Sequence, residues 1–303
     1  MNRPSQRMRN MVFAAGAVVA AATLPACGND TPSRAEVVGA LTDELVPTRF
    51  EELAVSAAEL HTGAETFCEG DRSDPAALLG QVSAVRDRWA ALRPFWFGPA
   101  MDRRSRSLVD YPADAADVAE LAASDTPVDP DSLRELVGAD QRGLGAIEIL
   151  ATDDPGDREC EYLVSAATLV ADETTGLAAD WDQFGPTLSV DDAAANAALT
   201  DIVSETLFAL PLTSSDNPMA VGQLAGARWA MLGDDGATDN GGGARGIAPL
   251  LDASVVDQLT TEFDAHAAQP SFDTEMALER TIKTNVAGDL GITVKFSDAD
   301  GDG

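Results

Sequence analysis

LLGQVSAVRDRWAALRPFW, residues 78–96, decides the fold. Leu78, Val82, Val85, Trp89, Leu92 and Trp96 recur at spacings of 4-3-4-3-4. That spacing places all six on one stripe of an α-helix. Asp74 and Pro75 supply a cap and a first-turn proline just before it, and FGPAM at 97–101 interrupts it.

The same period extends outward in both directions. SRAE at 33–36 is a capping box, Ser33 capping and Glu36 reaching back. It opens a stripe of Val37, Leu41, Leu45, Phe50, Leu53, Ala57, Leu60, Ala64 and Phe67, with a bend or break predicted at Pro47. Downstream, a polar connection carries a short Ala-rich piece at 113–123, and Asp129–Pro130 restart a helix through Leu133, Leu136, Val137, Leu144 and Ile147. Two glycines of RGLGAIEIL, 142–150, fall inside that helix and should loosen or kink it. After DDPGD at 153–157 a fourth helix runs through Tyr162, Ala166, Leu169, Glu173, Leu177, Trp181 and Phe184. Short connections predict that these four alternate up and down. The second half is again helical, with faces at Leu199–Leu210, at Val256, Leu259 and Phe263, and at Ile282, Val286 and Leu290. LGDDGATDNGGGARG, 232–246, reads as a loop. RWAAL at 88–92 recurs loosely as RWAML at 228–232, a weak sign of duplication. Sparse aromatics and abundant alanine agree with an all-α chain.

The N-terminus is of another kind. Arg3, Arg7 and Arg9 precede an uncharged run from Met11 to Ala26, which reads as a signal peptide over 1–26. The run is too short for a comfortable membrane span. LPAC at 24–27 has the form of a lipobox ending on Cys27, although Pro25 is atypical within it. Acylation of Cys27 would hold the chain to a membrane through a tether at 27–34; simple cleavage near Ala26 is the alternative. The chain carries 20 basic and 51 acidic residues, a net charge of −31. Without the three signal arginines the balance is 17 to 51, or −34, which argues against any nucleic-acid partner. With Cys27 set aside, Cys68 closes the first helix and Cys160 opens the fourth, at the same end of an up-and-down bundle. A disulfide and two buried free thiols both fit, and an oxidising compartment favours the bridge.

No P-loop, HExxH, GxSxG or paired CxxC occurs. His61 and His266 are the only histidines, which excludes a three-histidine zinc site, and both read as surface or boundary residues. SDADGDG at 297–303 and the acidic stretch at 234–243 lack the spacing of an EF-hand. Glu148 stands out: a carboxylate among Leu144, Ile147, Ile149 and Ala151 needs a partner. A structural ion pair with Arg103, Arg104, Arg106 or Arg142 is the favoured reading and a ligand role the alternative.

FWFGPAMDRRSRSLVDYP at 95–112, RGLGAIEIL at 142–150, CEYLVSAATLVADETTGLAADW at 160–181 and the ending LGITVKFSDADGDG at 290–303 together resemble the imelysin-like family, also classed as peptidase family M75. The resemblance spans essentially the whole chain after the signal. It implies two related helical bundles, here 35–185 and 186–303, with a functional site in a cleft between them. It further implies a bacterial envelope lipoprotein facing periplasm or exterior, iron or another divalent or trivalent metal as ligand, and envelope proteins of iron uptake as partners. The family's G-x-H-x-x-E signature maps onto Gly143, Gly145 and Glu148. Glycine thus stands at the histidine position, where it is expected to leave a gap. Asp102 and Asp110, in the shared 95–112 segment, are the acids expected beside Glu148 should oxygen ligands hold a hard cation. The favoured function is non-catalytic binding of metal or a metal complex in iron acquisition. A metallopeptidase of the M75 type and a metal-free interaction scaffold are the alternatives.

Overall fold

The computed structural model describes residues 32–152, 154–210, 217–233 and 246–295. Residues 1–26, read above as a signal peptide, Cys27 and the acidic C-terminal residues 296–303 lie outside the described residues, as does most of the 232–246 segment. Among the described residues there are helices and no strands, and no helix is long and apolar enough to cross a membrane.

The first apolar stripe folds as α1 (Arg34–Gly39), a π-helical turn (Ala40–Leu45) and α2 (Val46–Glu69) without interruption. Ser33 and Glu36 form the capping box at its start. The bend or break predicted at Pro47 takes the form of a division into two α-helical pieces joined by the π-helical turn, not of an end to the helical chain. Val46 N–H reaches back five residues to the carbonyl of Leu41, and the widened turn delivers Pro47 into the first turn of α2, where its missing N–H costs nothing. The stripe at 78–96 becomes α3 (Ala76–Ala91) and a 3-10 turn at Arg93–Phe95. Then come α4 (Pro99–Asp102), α5 (Ser105–Val109), α6 (Ala115–Ala123), α7 (Pro130–Glu135), α8 (Gly143–Leu150) and α9 (Asp157–Phe184). The second half adds α10 (Asp192–Ala209), α11 (Ala220–Leu232), α12 (Ala253–Ala268), α13 (Phe272–Thr281) and α14 (Ala287–Leu290).

The long helices α2 and α9 form the spine. At one end Cys68 of α2 is bonded to Cys160 of α9, with Cα atoms 5.5 Å apart. At the other, Phe50 of α2 stacks on Trp181 of α9 with centroids 5.3 Å apart, so the two helices run antiparallel. Phe95, Phe97 and Phe184 close around Trp181 edge-on, at 5.3–6.3 Å. Edge-to-face contacts of this kind add to the apolar area already removed from water. Residues on both sides of the Gly185–Leu188 turn join one buried core, from Val38 to Leu290.

α11 crosses α3 at backbone contact. A Cβ on Gly222 would lie 2.6 Å from the Asp87 carbonyl oxygen, and one on Gly226 would lie 2.0 Å from that of Ala91. Gly226→Ala should therefore force the helices apart and cost about 2 kcal/mol or more in denaturant unfolding. Gly80→Ala in α3, where a Cβ meets nothing within 4 Å, should be neutral or stabilising by up to about 1 kcal/mol. Equal midpoints for the two variants would contradict the close crossing.

His266 departs from its expected boundary position. It is 1% exposed on α12, and its Nδ1 lies 2.8 Å from the Thr274 hydroxyl at the start of α13. Burial lowers its pKa, holding the ring neutral.

Candidate functional site

α8 begins later and more sharply than its periodicity predicts. The helix expected to run from Leu133 to Ile147 is broken into α7, a 3-10 turn at Ala139–Gln141, and α8. Gly143 causes the break: its φ is +72°, and a Cβ there would sit 2.6 Å from the Val109 carbonyl oxygen. Arg142 just before it closes the preceding turn. Its Nη1 donates to the carbonyls of Leu133, Arg134 and Val137 at 2.7–3.0 Å, and its Nε to that of Ser107 at 2.9 Å. Orphan carbonyls at the end of α7 are thereby satisfied.

Gly145, the position at which an imidazole was expected to leave a gap, has no gap. A Cβ there would lie 2.7 Å from the Ala113 Cβ and 3.3 Å from the Tyr111 carbonyl oxygen. The segment Tyr111–Ala113 packs directly against the helix here, so the space for a ring is filled by backbone and a methyl group.

One turn on, Glu148 projects from α8 with its side chain 53% exposed. Its partner is none of the four arginines the sequence suggested. Arg86 of α3 donates from Nη2 to Glu148 Oε2 at 2.9 Å and from Nε to the Asp110 carboxylate at 3.2–3.3 Å. Arg86 and Asp110 are both more than nine-tenths buried. Burial pulls the Arg86 pKa down, and the two carboxylates more than offset it, so the net shift is upward. Burial also lifts Asp110 above the usual aspartate range, with Arg86 opposing. The three groups form a carboxylate–guanidinium–carboxylate bridge. Asp102 is exposed on α4 and forms no link to it.

A second buried centre was not identified as such in the sequence. Glu173 of α9 is fully buried and holds Arg103 at 2.9 and 3.2 Å, Arg134 at 2.8 Å and the Ser105 hydroxyl at 2.8 Å. Burial pushes its pKa up, but the three hydrogen bonds prevail and the net shift is downward. Arg103 also reaches Asp180 at 2.9 Å, passing over Gly176, whose missing side chain makes room for the guanidinium. The signal was present: Glu173 occupies an apolar position between Leu169 and Leu177. Residues 103–110 thus connect both centres, Arg103 and Ser105 serving Glu173 and Asp110 serving Arg86.

The donor set around α8 does not fit a bare metal ion. The imidazole position is closed by Ala113, and the place between the two carboxylates is taken by a guanidinium. Among the described residues, no group of three or more His, Cys, Asp or Glu is arranged to hold a metal.

Three comparisons bear on this geometry. The family described as Imelysin, peptidase M75, matches residues 47–217. An imelysin-like protein from Psychrobacter arcticum superposes with a TM-score of 0.69 at 19% identity, over 86% of this chain and 98% of that one. A protein from Parabacteroides distasonis, named as an iron-regulated protein A precursor, superposes with a TM-score of 0.60 at 14% identity, over 85% and 93%. At such identities the likeness to both is one of fold. No curated protein matches the chain.

Proposed function

The chain belongs to the imelysin family, and from that premise we propose that it is a non-catalytic binding protein of iron acquisition, held at the bacterial envelope by lipid on Cys27. One observation carries the non-catalytic reading: Arg86 stands between Asp110 and Glu148. The positive charge that a metal would bring to these carboxylates is supplied by the protein itself. A metal-activated water, which peptidase chemistry of this class needs, has no open coordination position at the altered motif. Glu148 keeps an exposed face beside the bridge and is the group that a metal complex or a protein partner would meet. The iron role is supported by the family and by the name of the Parabacteroides distasonis protein of like fold. The lipobox and the signal-like N-terminus support the location.

The test is calorimetry and elemental analysis of the purified protein with ferrous iron, ferric iron, copper and zinc, beside Glu148→Ala. No stoichiometric binding at micromolar affinity is expected at this site. Stoichiometric uptake that Glu148→Ala abolishes would overturn the bridge as a substitute for metal. Deletion of the gene should slow growth when iron is limiting, and unimpaired growth there would remove the iron role.

A further inference from the structure

The two RWA-x-L segments, Arg88–Leu92 at the end of α3 and Arg228–Leu232 on α11, meet in the folded chain. The glycine-mediated crossing at Gly222 and Gly226 brings them together, and Arg88 and Arg228 line one pocket of about 260 Å³ with Arg49 of α2. Its apolar wall includes Leu92, Ala225 and Trp229. The Arg49 guanidinium lies 5.5 Å from the Trp229 ring centroid, a cation–π distance. Glu52, 3.4 Å from Arg49, is the one carboxylate among the described lining residues. Arg228 also bonds Asp264 at 3.0 Å, an exposed pair of the weak kind. Arg88 donates to the Ala84 carbonyl at 3.1 Å and to the Ser56 hydroxyl at 3.4 Å, and has no carboxylate partner among the described residues.

Three guanidiniums around one concavity stand out in a chain with 20 basic residues and a net charge of −31. The pocket is also separate from the Glu148 bridge. Arg86 and Arg88 are two residues apart on α3, about 200° around the helix, and so project from opposite faces.

We propose that this pocket binds a small aromatic carboxylate. The guanidinium fork matches a carboxylate with two parallel hydrogen bonds, and the Trp229–Leu92–Ala225 wall takes the ring. Its volume of about 260 Å³ lies just below the usual range of drug-sized ligand sites, which suits a single-ring acid and excludes a peptide or a large cofactor. The overall negative charge makes the local cations a requirement: without them an anion would be repelled from this surface.

Calorimetric titration of the purified protein with benzoate, phthalate, neutral benzamide and inorganic phosphate tests this. Benzoate and phthalate should saturate one site, with benzamide at least tenfold weaker and phosphate weaker than benzoate. Arg88→Gln and Arg228→Gln should each weaken benzoate at least fivefold while keeping the wild-type circular dichroism. Equal affinity for benzamide would leave only an apolar pocket, and tighter phosphate binding would leave an oxyanion site without use for the ring. Either result, absence of saturation, or benzoate binding unchanged in both variants would overturn the proposal.

Discussion

Glu173→Gln is expected to destabilise the protein by about 3 kcal/mol, although the substitution is nearly isosteric. The carboxylate is fully buried and receives hydrogen bonds from Arg103, Arg134 and Ser105. Removing one member of a buried ion network leaves the rest uncompensated, at a cost of about 3–5 kcal/mol. The lower end applies here because Arg103 retains Asp180 and the Arg134 side chain is 35% exposed. Thermal unfolding should shift by roughly 5 °C for a chain of this size. The pH dependence has a defined sign. The folded-state pKa of Glu173 lies below its unfolded value, so its contribution is complete above the ordinary glutamate range and is lost as pH falls through the folded value. Asp110, raised by burial, acts oppositely: it binds its proton more tightly when folded, and acidification through that window favours the fold. Glu173→Gln should therefore flatten the acid limb of the stability curve. A variant with wild-type midpoint and wild-type acid limb would show that the network adds nothing.

The helices were legible because their signal is local and repeated. The stripe from Leu78 to Trp96 and the Ser33–Glu36 box depend on neighbours three and four residues away, and both stand in the fold. Pro47 marked where the helix divides, but the form of the division, a π-helical turn that keeps the chain helical, is not encoded in spacing alone. Gly143 was visible as a loosening of the helix, but a positive φ under the Val109 carbonyl is a tertiary fact.

The site was less legible for a related reason. Glu148 was singled out by its apolar neighbours, which is local information. Its partner Arg86 lies 62 residues earlier and on a stripe read for its apolar members. The arginines nearest in sequence were engaged elsewhere, Arg103 by Glu173 and Arg142 by backbone carbonyls. The reading of Gly145 as a gap assumed that the surroundings stay fixed when a side chain is lost. Here the Tyr111–Ala113 segment occupies the space, as close packing of interiors favours. On the face of α8 where the resemblance led us to expect an imidazole and a cation, this chain has the closely packed 111–113 segment and its own guanidinium.

Replacing Cys68 and Cys160 by serine together should lower stability by about 4 kcal/mol, and the reason determines what else must change. The bridge spans 92 residues of sequence, and on the chain-entropy account a loop of this length is worth about 4–5 kcal/mol as an upper value. The native geometry around it is held independently. Arg72 donates to the Cys68 carbonyl at 2.9 Å, the Pro155 carbonyl at 3.0 Å and Asp157 at 2.9 Å, and accepts from Asp154 N–H at 2.9 Å. The opposite end of the α2–α9 pair is fixed by Phe50 on Trp181. With the folded state so braced, most of the loss should arise in the unfolded chain, which without the bridge is less compact and exposes more surface. The denaturant midpoint should therefore fall while the slope of the transition rises. The helical circular dichroism of the folded variant should match the wild type. A fall in midpoint with an unchanged or smaller slope would place the effect in the folded state instead, and would mean that Arg72 and its contacts do not hold that end of the spine without the covalent bond.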